Sequence, residues 1–424
     1  MKCLSKGKES MKAFFTKGKE AKGKYQFNYS KLKILLLIFL IVAMLFTSCT
    51  IFKESGTLSE TDKQELPALI PYRVKDKWGY CDRDRKIVIQ PAFTEAHLFN
   101  EGLALVAVSG KFGFIDESGK IVIEPAYSGA GDFHEDLAMI EVHTRNAGYG
   151  WGFINKKGEI VIEPTYDQVF DFKGNFAVVK VGNKCGVINK NGNIIVKIKY
   201  DQLFIAEGNE GLFAAQFDEK YGLLDAGEKV IMPFDYEWIG EYVDGLILVT
   251  QKGMCGFANT KGKVAIGLSY DFASDFHEGL AAVCIGEKYS PVRGKCGFIN
   301  EKGQIVIQLT YDGAGDFSEG LAPVMLNGQW GVINSKNELI IQPTDKYIYT
   351  FSDGLAFIEQ DSKKGFIDSE GKMVLTIPDF YDELGYTTDY YFHDGLLAVY
   401  SHPFPTTEVI LGYIDKKGTQ YWED

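Results

Sequence analysis

The 424-residue sequence predicts an all-β repeat protein, and three observations carry that expectation. A glycine that follows a bulky or soft residue and precedes two apolar residues and an Asp or Asn occurs ten times, from Trp78-Gly79 to Leu411-Gly412. Successive marker glycines are 34, 39, 34, 36, 34, 41, 34, 34 and 47 residues apart, so the base period is 34. Between them run short β-branched and aromatic segments bounded by Gly, Asp, Asn and Pro, with no helical spacing over eleven or more residues. A period of this size denotes a repeat architecture, so a domain count from chain length does not apply.

Residues 152–184 show the order of elements within a unit. Gly152-Phe153-Ile154-Asn155 reads as a strand, Lys156-Lys157-Gly158 as a turn, and Glu159-Ile160-Val161-Ile162-Glu163 as the returning strand. Pro164-Thr165-Tyr166-Asp167 then opens a connector that ends at Phe172-Lys173-Gly174, and Phe176–Val181 forms a third strand. The first two strands form a hairpin whose turn Gly supplies a left-handed residue. That glycine is read at Gly119, Gly158, Gly192, Gly227, Gly262, Gly303, Gly371 and Gly418, with Arg85 and Asn337 in its place in two units. Strands such as Ile121-Val122-Ile123 are apolar on both faces, which predicts cover on both faces from neighbouring units. Three strands per unit favour an open or superhelical stack of β-hairpin-based units. A short fourth strand in the connector would instead make each unit a blade, the β-propeller alternative.

Charge divides the chain. Residues 1–48 hold ten Lys and two Glu, while the rest has 35 basic and 55 acidic side chains, a net of −20. Such a surface repels phosphate backbones, which argues against a nucleic-acid partner. Residues 34–46 are thirteen uncharged apolar positions, short for a membrane-crossing helix and of the length of a secretory signal. The basic stretch before them is compatible with translation from Met1 or from Met11.

Phe46-Thr47-Ser48-Cys49 resembles a bacterial lipoprotein lipobox, with Phe46 where Leu is usual. The resemblance implies cleavage before Cys49, diacylation of that residue and membrane attachment through it. The expected organisation is a signal peptide over 1–48, an acylated Cys and polar tether over 49–65, and a repeat domain of about ten units over 66–424. Lys77-Trp78-Gly79-Tyr80, Gly150-Trp151-Gly152-Phe153-Ile154 and Gln329-Trp330-Gly331-Val332-Ile333 resemble the WG (KWG) repeat family of bacterial proteins. The recurring Phe276-His277-Glu278-Gly279-Leu280-Ala281 and its counterpart at 317–322 fit the same family. That resemblance implies tandem β modules, often secreted or lipid-anchored, and no general catalytic motif.

The chemistry-bearing residues follow the repeat. Cys185, Cys255 and Cys296 occupy the slot of Trp78, Phe112 and Trp151, and Cys284 aligns with Ala107, so with Cys81 they are expected as small apolar fillers. Their spacing suggests neither a disulfide framework nor a zinc site. His97, His134, His143, His277, His393 and His402 form no metal-binding pattern, and His134 and His277 are expected in surface loops. Asp167, Asp201, Asp271, Asp312 and Asp382 follow an aromatic residue, and Glu101, Glu135, Glu278 and Glu319 precede the third strand. Because they recur, they are expected to cap turns rather than to serve as a catalytic pair. Specificity is expected in the less repetitive segments 144–150, 286–294, 378–393 and 401–408. No catalytic residue, metal ligand or cofactor is assigned. The expected function is a cell-envelope lipoprotein scaffold for a protein or glycan partner, the alternatives being a glycan-active hydrolase with acids in an irregular loop and a structural spacer.

Overall fold

The structure is a computed structural model that describes residues 66–144, 148–206, 211–286, 294–360, 363–377, 386–388, 390–401 and 409–423. The signal sequence, Cys49 and the tether lie outside the described residues, as do Asp382, His402 and most of the irregular segments. Among the described residues there is no helix, and the strands form ten separate sheets, numbered here in chain order. The expected tandem array of 34-residue β units is present.

Nine sheets are four-stranded and the tenth has three described strands. Sheet 3 contains Gly129–His134, Leu137–Thr144, Gly148–Asn155 and Ile160–Tyr166, each antiparallel to the next. In most units the leading strand has two residues, as at Gln168–Val169, where Val169 pairs with Val179. The connector therefore contributes a fourth strand to sheets 2 to 9.

The marker glycine has a steric origin. Trp151 pairs with Tyr166 and Phe153 with Ile162, so Gly152 alone faces the three residues Glu163, Pro164 and Thr165. That bulge presses inward, and a Cβ on Gly152 would stand 2.3 Å from the Ile162 carbonyl oxygen and 2.7 Å from the Pro164 nitrogen. Gly79, Gly113 and Gly297 meet the same obstruction. Trp-Gly and Glu-Pro-x-Tyr are thus two halves of one bulged pairing.

The hairpin turn is held by its own side chain. Asn155 Oδ1 accepts hydrogen bonds from the Lys157 and Glu159 amides at 3.0 and 3.1 Å, and Gly158 takes φ +79°. Asp116, Asn259, Asn300 and Asp415 repeat the arrangement. In sheet 5 the expected turn residue is corrected: Glu228, not Gly227, has the left-handed φ of 60°, because its amide makes the turn-closing bond to Asp225. Its carboxylate then lies 2.7 Å from Lys199 Nζ in sheet 4.

The sheets cohere through aromatic pairs at their junctions. Phe153 of sheet 3 meets Phe172 of sheet 4 at 4.8 Å between ring centroids, both buried. The same pairing joins Tyr80 to Phe99, Phe114 to Phe133, Phe257 to Phe276, Phe298 to Phe317 and Phe366 to Phe392 at 4.7–4.9 Å. Each such pair adds about 0.5–1.5 kcal/mol to the burial of its rings. The expectation that the Ile-Val-Ile strands are covered on both faces is corrected. Ile121 and Val122 are 39% and 40% exposed, and only Ile123, at 5%, is buried. These strands lie at sheet edges and carry a bulge at the middle residue, so one apolar position in three turns inward.

The first and last sheets touch. Trp422–Glu423 pairs in parallel with Ile70–Val74, the Lys75 amide donates to the Glu423 carbonyl at 2.7 Å, and Tyr72 Oη donates to Glu423 Oε1 at 2.7 Å. Ile70, Tyr80 and Ala104 share one apolar cluster with Leu396, Ala398, Tyr413 and Tyr421. The tandem array of separate antiparallel sheets thus has its first and last units in contact.

Candidate binding surface

The carboxylates singled out by their recurrence are committed to backbone amides. Glu101 accepts from the Glu135 and Asp136 amides at 2.7 and 3.0 Å, and Glu135 in turn accepts from Gly174 and Asn175 at 2.6 and 3.0 Å. Glu278 takes the Gly320 amide, Glu319 that of Gly354, and Asp353 that of Gly395. Each of these five residues thereby caps a turn of the next unit. Asp167, Asp201, Asp271 and Asp312 cap the hairpin within their own sheet, accepting from Gly182, Asp218, Gly286 and Asn327. Turn capping is the role their periodic placement implies.

One expectation about cysteine is corrected. Cys284 and Cys296 pair directly across adjacent strands of sheet 7, with Cα atoms 4.1 Å apart, and form a buried disulfide. The close approach of a directly opposed antiparallel pair makes the bond possible at a separation of only twelve residues. Cys81, Cys185 and Cys255 are free and buried, as fillers should be.

A different set of recurring acids is half-buried on the scaffold. Asp132, Asp171, Asp275 and Asp316 each stand immediately before a buried phenylalanine, Phe133, Phe172, Phe276 or Phe317. Anchoring of the ring fixes the preceding carboxylate in the same slot of these four units. Histidines bridge neighbouring slots: His97 Nδ1 is 3.3 Å from Asp132, His134 is 3.7 Å from Asp171, and His277 is 3.8 Å from Asp316. Burial works against a charge on His97, but the hydrogen bonds its ring donates to the Asp132 and Glu95 carboxylates outweigh it and push its pKa up to about 10. His134 and His277 keep partly exposed rings, but the loop expectation is corrected for His134, which ends the strand Gly129–His134 and pairs with Leu137.

Asp275 is the most perturbed carboxyl of this set. Desolvation first, then the fields of Glu241 and Asp316, push its pKa up to about 8, although the Glu241 amide donates to Oδ1 at 3.1 Å. A carboxyl raised in the folded state binds its proton more tightly there than in the unfolded chain. Stability is therefore full below about pH 4 and is lost as pH rises through 8. The whole difference corresponds to roughly 5–6 kcal/mol. Partial contact with water should reduce this to about half. Asp275→Asn should leave the melting temperature near that of the wild type at pH 4.5 and raise it by several degrees at pH 8.5. Equal shifts at both pH values would refute this.

A cluster of tyrosines lies within the electrostatic reach of Asp316. Tyr349 and Tyr390 stack at 4.9 Å with planes 7° apart, Tyr347 meets Tyr349 edge-on at 4.7 Å, and Trp330 meets Tyr347 at 4.9 Å. Tyr347 and Tyr390 remain 46% and 44% exposed, unlike the junction aromatics. Burial, then Tyr347, Asp316 and Tyr390, push the Tyr391 phenol up to about 12. Tyr390 and Tyr391 fall within the irregular segment 378–393, but the recurring Asp-Phe acids were not among the sequence candidates. Their signal was available as an Asp directly before the periodic Phe. No group of three or more His, Cys, Asp or Glu among the described residues is arranged to hold a metal ion.

A family model described as a WG containing repeat matches residues 78–112, 112–143, 151–185, 186–221, 221–255, 256–289, 297–330 and 330–363. No curated protein matches. Among solved structures, a eukaryotic initiation factor is 12% identical with a TM-score of 0.47, covering 73% of this chain and 96% of its own. Hsv2 of Kluyvelomyces marxianus is 10% identical with a TM-score of 0.31, covering 64% of this chain and 90% of its own. PorZ, a surface component of the type-IX secretion system of Porphyromonas gingivalis, is 10% identical with a TM-score of 0.27, covering 84% and 52%.

Proposed function

Because the chain belongs to the WG-containing repeat family, we propose that it is a cell-envelope scaffold that binds a protein or glycan partner. The observation that carries this reading is the pair of half-exposed rings Tyr347 and Tyr390 within the field of Asp316, set on an array whose recurring Glu and hairpin Asp carboxylates are engaged in capping turns. Aromatic faces left in water on a rigid β scaffold offer a partner large contact area at little cost in ordering. The Cys284–Cys296 disulfide supports a location outside the reducing cytoplasm, in keeping with the lipobox-like Phe46–Cys49. The partner test is a pull-down from cell-envelope extract with the full chain, which should capture a saturable partner. Absence of one would favour the spacer. Cys49→Ala should abolish acyl labelling and move the protein from the membrane to the soluble fraction, because stable anchoring needs the two acyl chains that this residue would carry. Unchanged labelling would rule the anchor out.

The hydrolase alternative draws support from Asp275, protonated near neutrality beside Asp316, since glycoside hydrolysis needs one carboxyl with a raised pKa. Release of sugar from an oligosaccharide by the wild type, lost in Asp275→Asn, would establish it.

A further inference from the structure

We infer that the surface formed by Tyr347, Tyr349, Tyr390 and Asp316 receives lysine or arginine side chains of an extended polypeptide partner. The inference rests on the binding-scaffold reading and names the chemistry of its partner. A cationic head lies against the tyrosine rings and its charge meets the Asp316 carboxylate.

Three features converge on this chemistry. The rings come first. Tyr349 and Tyr390 form a parallel pair and Tyr347 stands edge-on to it, and the outer two rings keep almost half their surface in water. Junction aromatics such as Phe298 and Phe317 are fully covered, so packing between sheets does not account for the tyrosines. Tyrosine faces carry negative potential and attract ammonium and guanidinium groups.

The second feature is the excess of negative charge close by. Asp316 acts electrostatically on Tyr347, on Tyr391 and on Asp275, and Glu241 adds to the field at Asp275. Asp275, whose ionisation these acids oppose, gains when a positive charge arrives, because it favours the charged carboxylate. A neutral sugar can stack on the tyrosines but relieves none of this repulsion. His277, 3.8 Å from Asp316, is the basic side chain paired with that acid.

Third, the slot repeats. Asp275 and Asp316 occupy equivalent positions in sheets 7 and 8, each before its anchoring phenylalanine, so successive units offer carboxylates in a row. An extended chain with cationic side chains matches a row better than a single small cation does. The net charge of −20 beyond residue 48 steers such a chain toward the array.

The test is fluorescence anisotropy with the full chain in detergent and a labelled twelve-residue peptide of alternating Gly and Lys. Asp316→Asn and Tyr390→Ala should each weaken binding by roughly fivefold or more. Glu117→Gln makes the same charge change on an exposed turn of sheet 2 and should leave the Kd within about twofold, since exposed charges contribute little. The lysine-acetylated peptide should bind at least tenfold more weakly than its parent. Thermal melts of both site variants check that they fold, and Asp316→Asn, which keeps the side-chain shape, carries the test if Tyr390→Ala does not. Equal effects of Asp316→Asn and Glu117→Gln, or no binding to the wild type, would overturn the inference. Equally tight binding of the acetylated peptide or of cellohexaose, sensitive to Tyr390→Ala, would overturn it while leaving the scaffold reading intact. That reading fails separately, if the pull-down yields no saturable partner.

Discussion

Gly152→Ala should lower the unfolding free energy by about 3 kcal/mol or more, a large effect for the addition of one methyl group. The new Cβ would press on the backbone of Ile162 to Pro164, and backbone cannot rotate away as a side chain can. Gly267→Ala is the matched control, because nothing lies within 4 Å of its Cβ position. It should change stability by less than about 0.5 kcal/mol. Urea denaturation of both variants decides the matter, and similar midpoints would show that the marker glycine is not a steric requirement.

Trp422→Ala should cost about 3–5 kcal/mol, the usual result of removing a large buried aromatic. The indole covers Gly412, where a Cβ would stand 2.3 Å from its Cε3 atom, and joins the cluster containing Leu397, Val399 and Ile414. Its backbone also pairs with Arg73, so loss of the ring weakens the joint between the first and last sheets. Small-angle scattering should record an increased radius of gyration, relative to the wild type, when residues 420–424 are removed. An unchanged radius would mean that the ends stay together without this strand.

Much of the scaffold was legible because it depends on local chemistry. The hairpin turns follow from Asn or Asp at one position and a left-handed residue three later, as at Asn155 and Gly158. Recurrence separated turn-capping acids such as Glu278 and Asp312 from catalytic candidates. What escaped depends on register and tertiary contact. Cys284 and Cys296 become neighbours only when the strands before and after their loop are paired residue by residue, and a count of cysteines hides this. Edge position, invisible in the string Ile-Val-Ile, decides that Ile121 and Val122 meet water. The Asp316 surface draws on sheets 7 to 10, so its tyrosines and acids are far apart in sequence and gather only through the stacking of units.

The docking of Glu423 beside Tyr72 and Lys75, and of Leu66 against Gly395, sets the beginning and end of the repeat region on the same junction. The covalent order of the units is then a matter of where the backbone happens to be cut. A short peptide bridging residue 423 to residue 66, with a new opening in the connector between two middle units, should give a circularly permuted chain with the same sheets, the same Phe-Phe contacts and the same Asp316 surface.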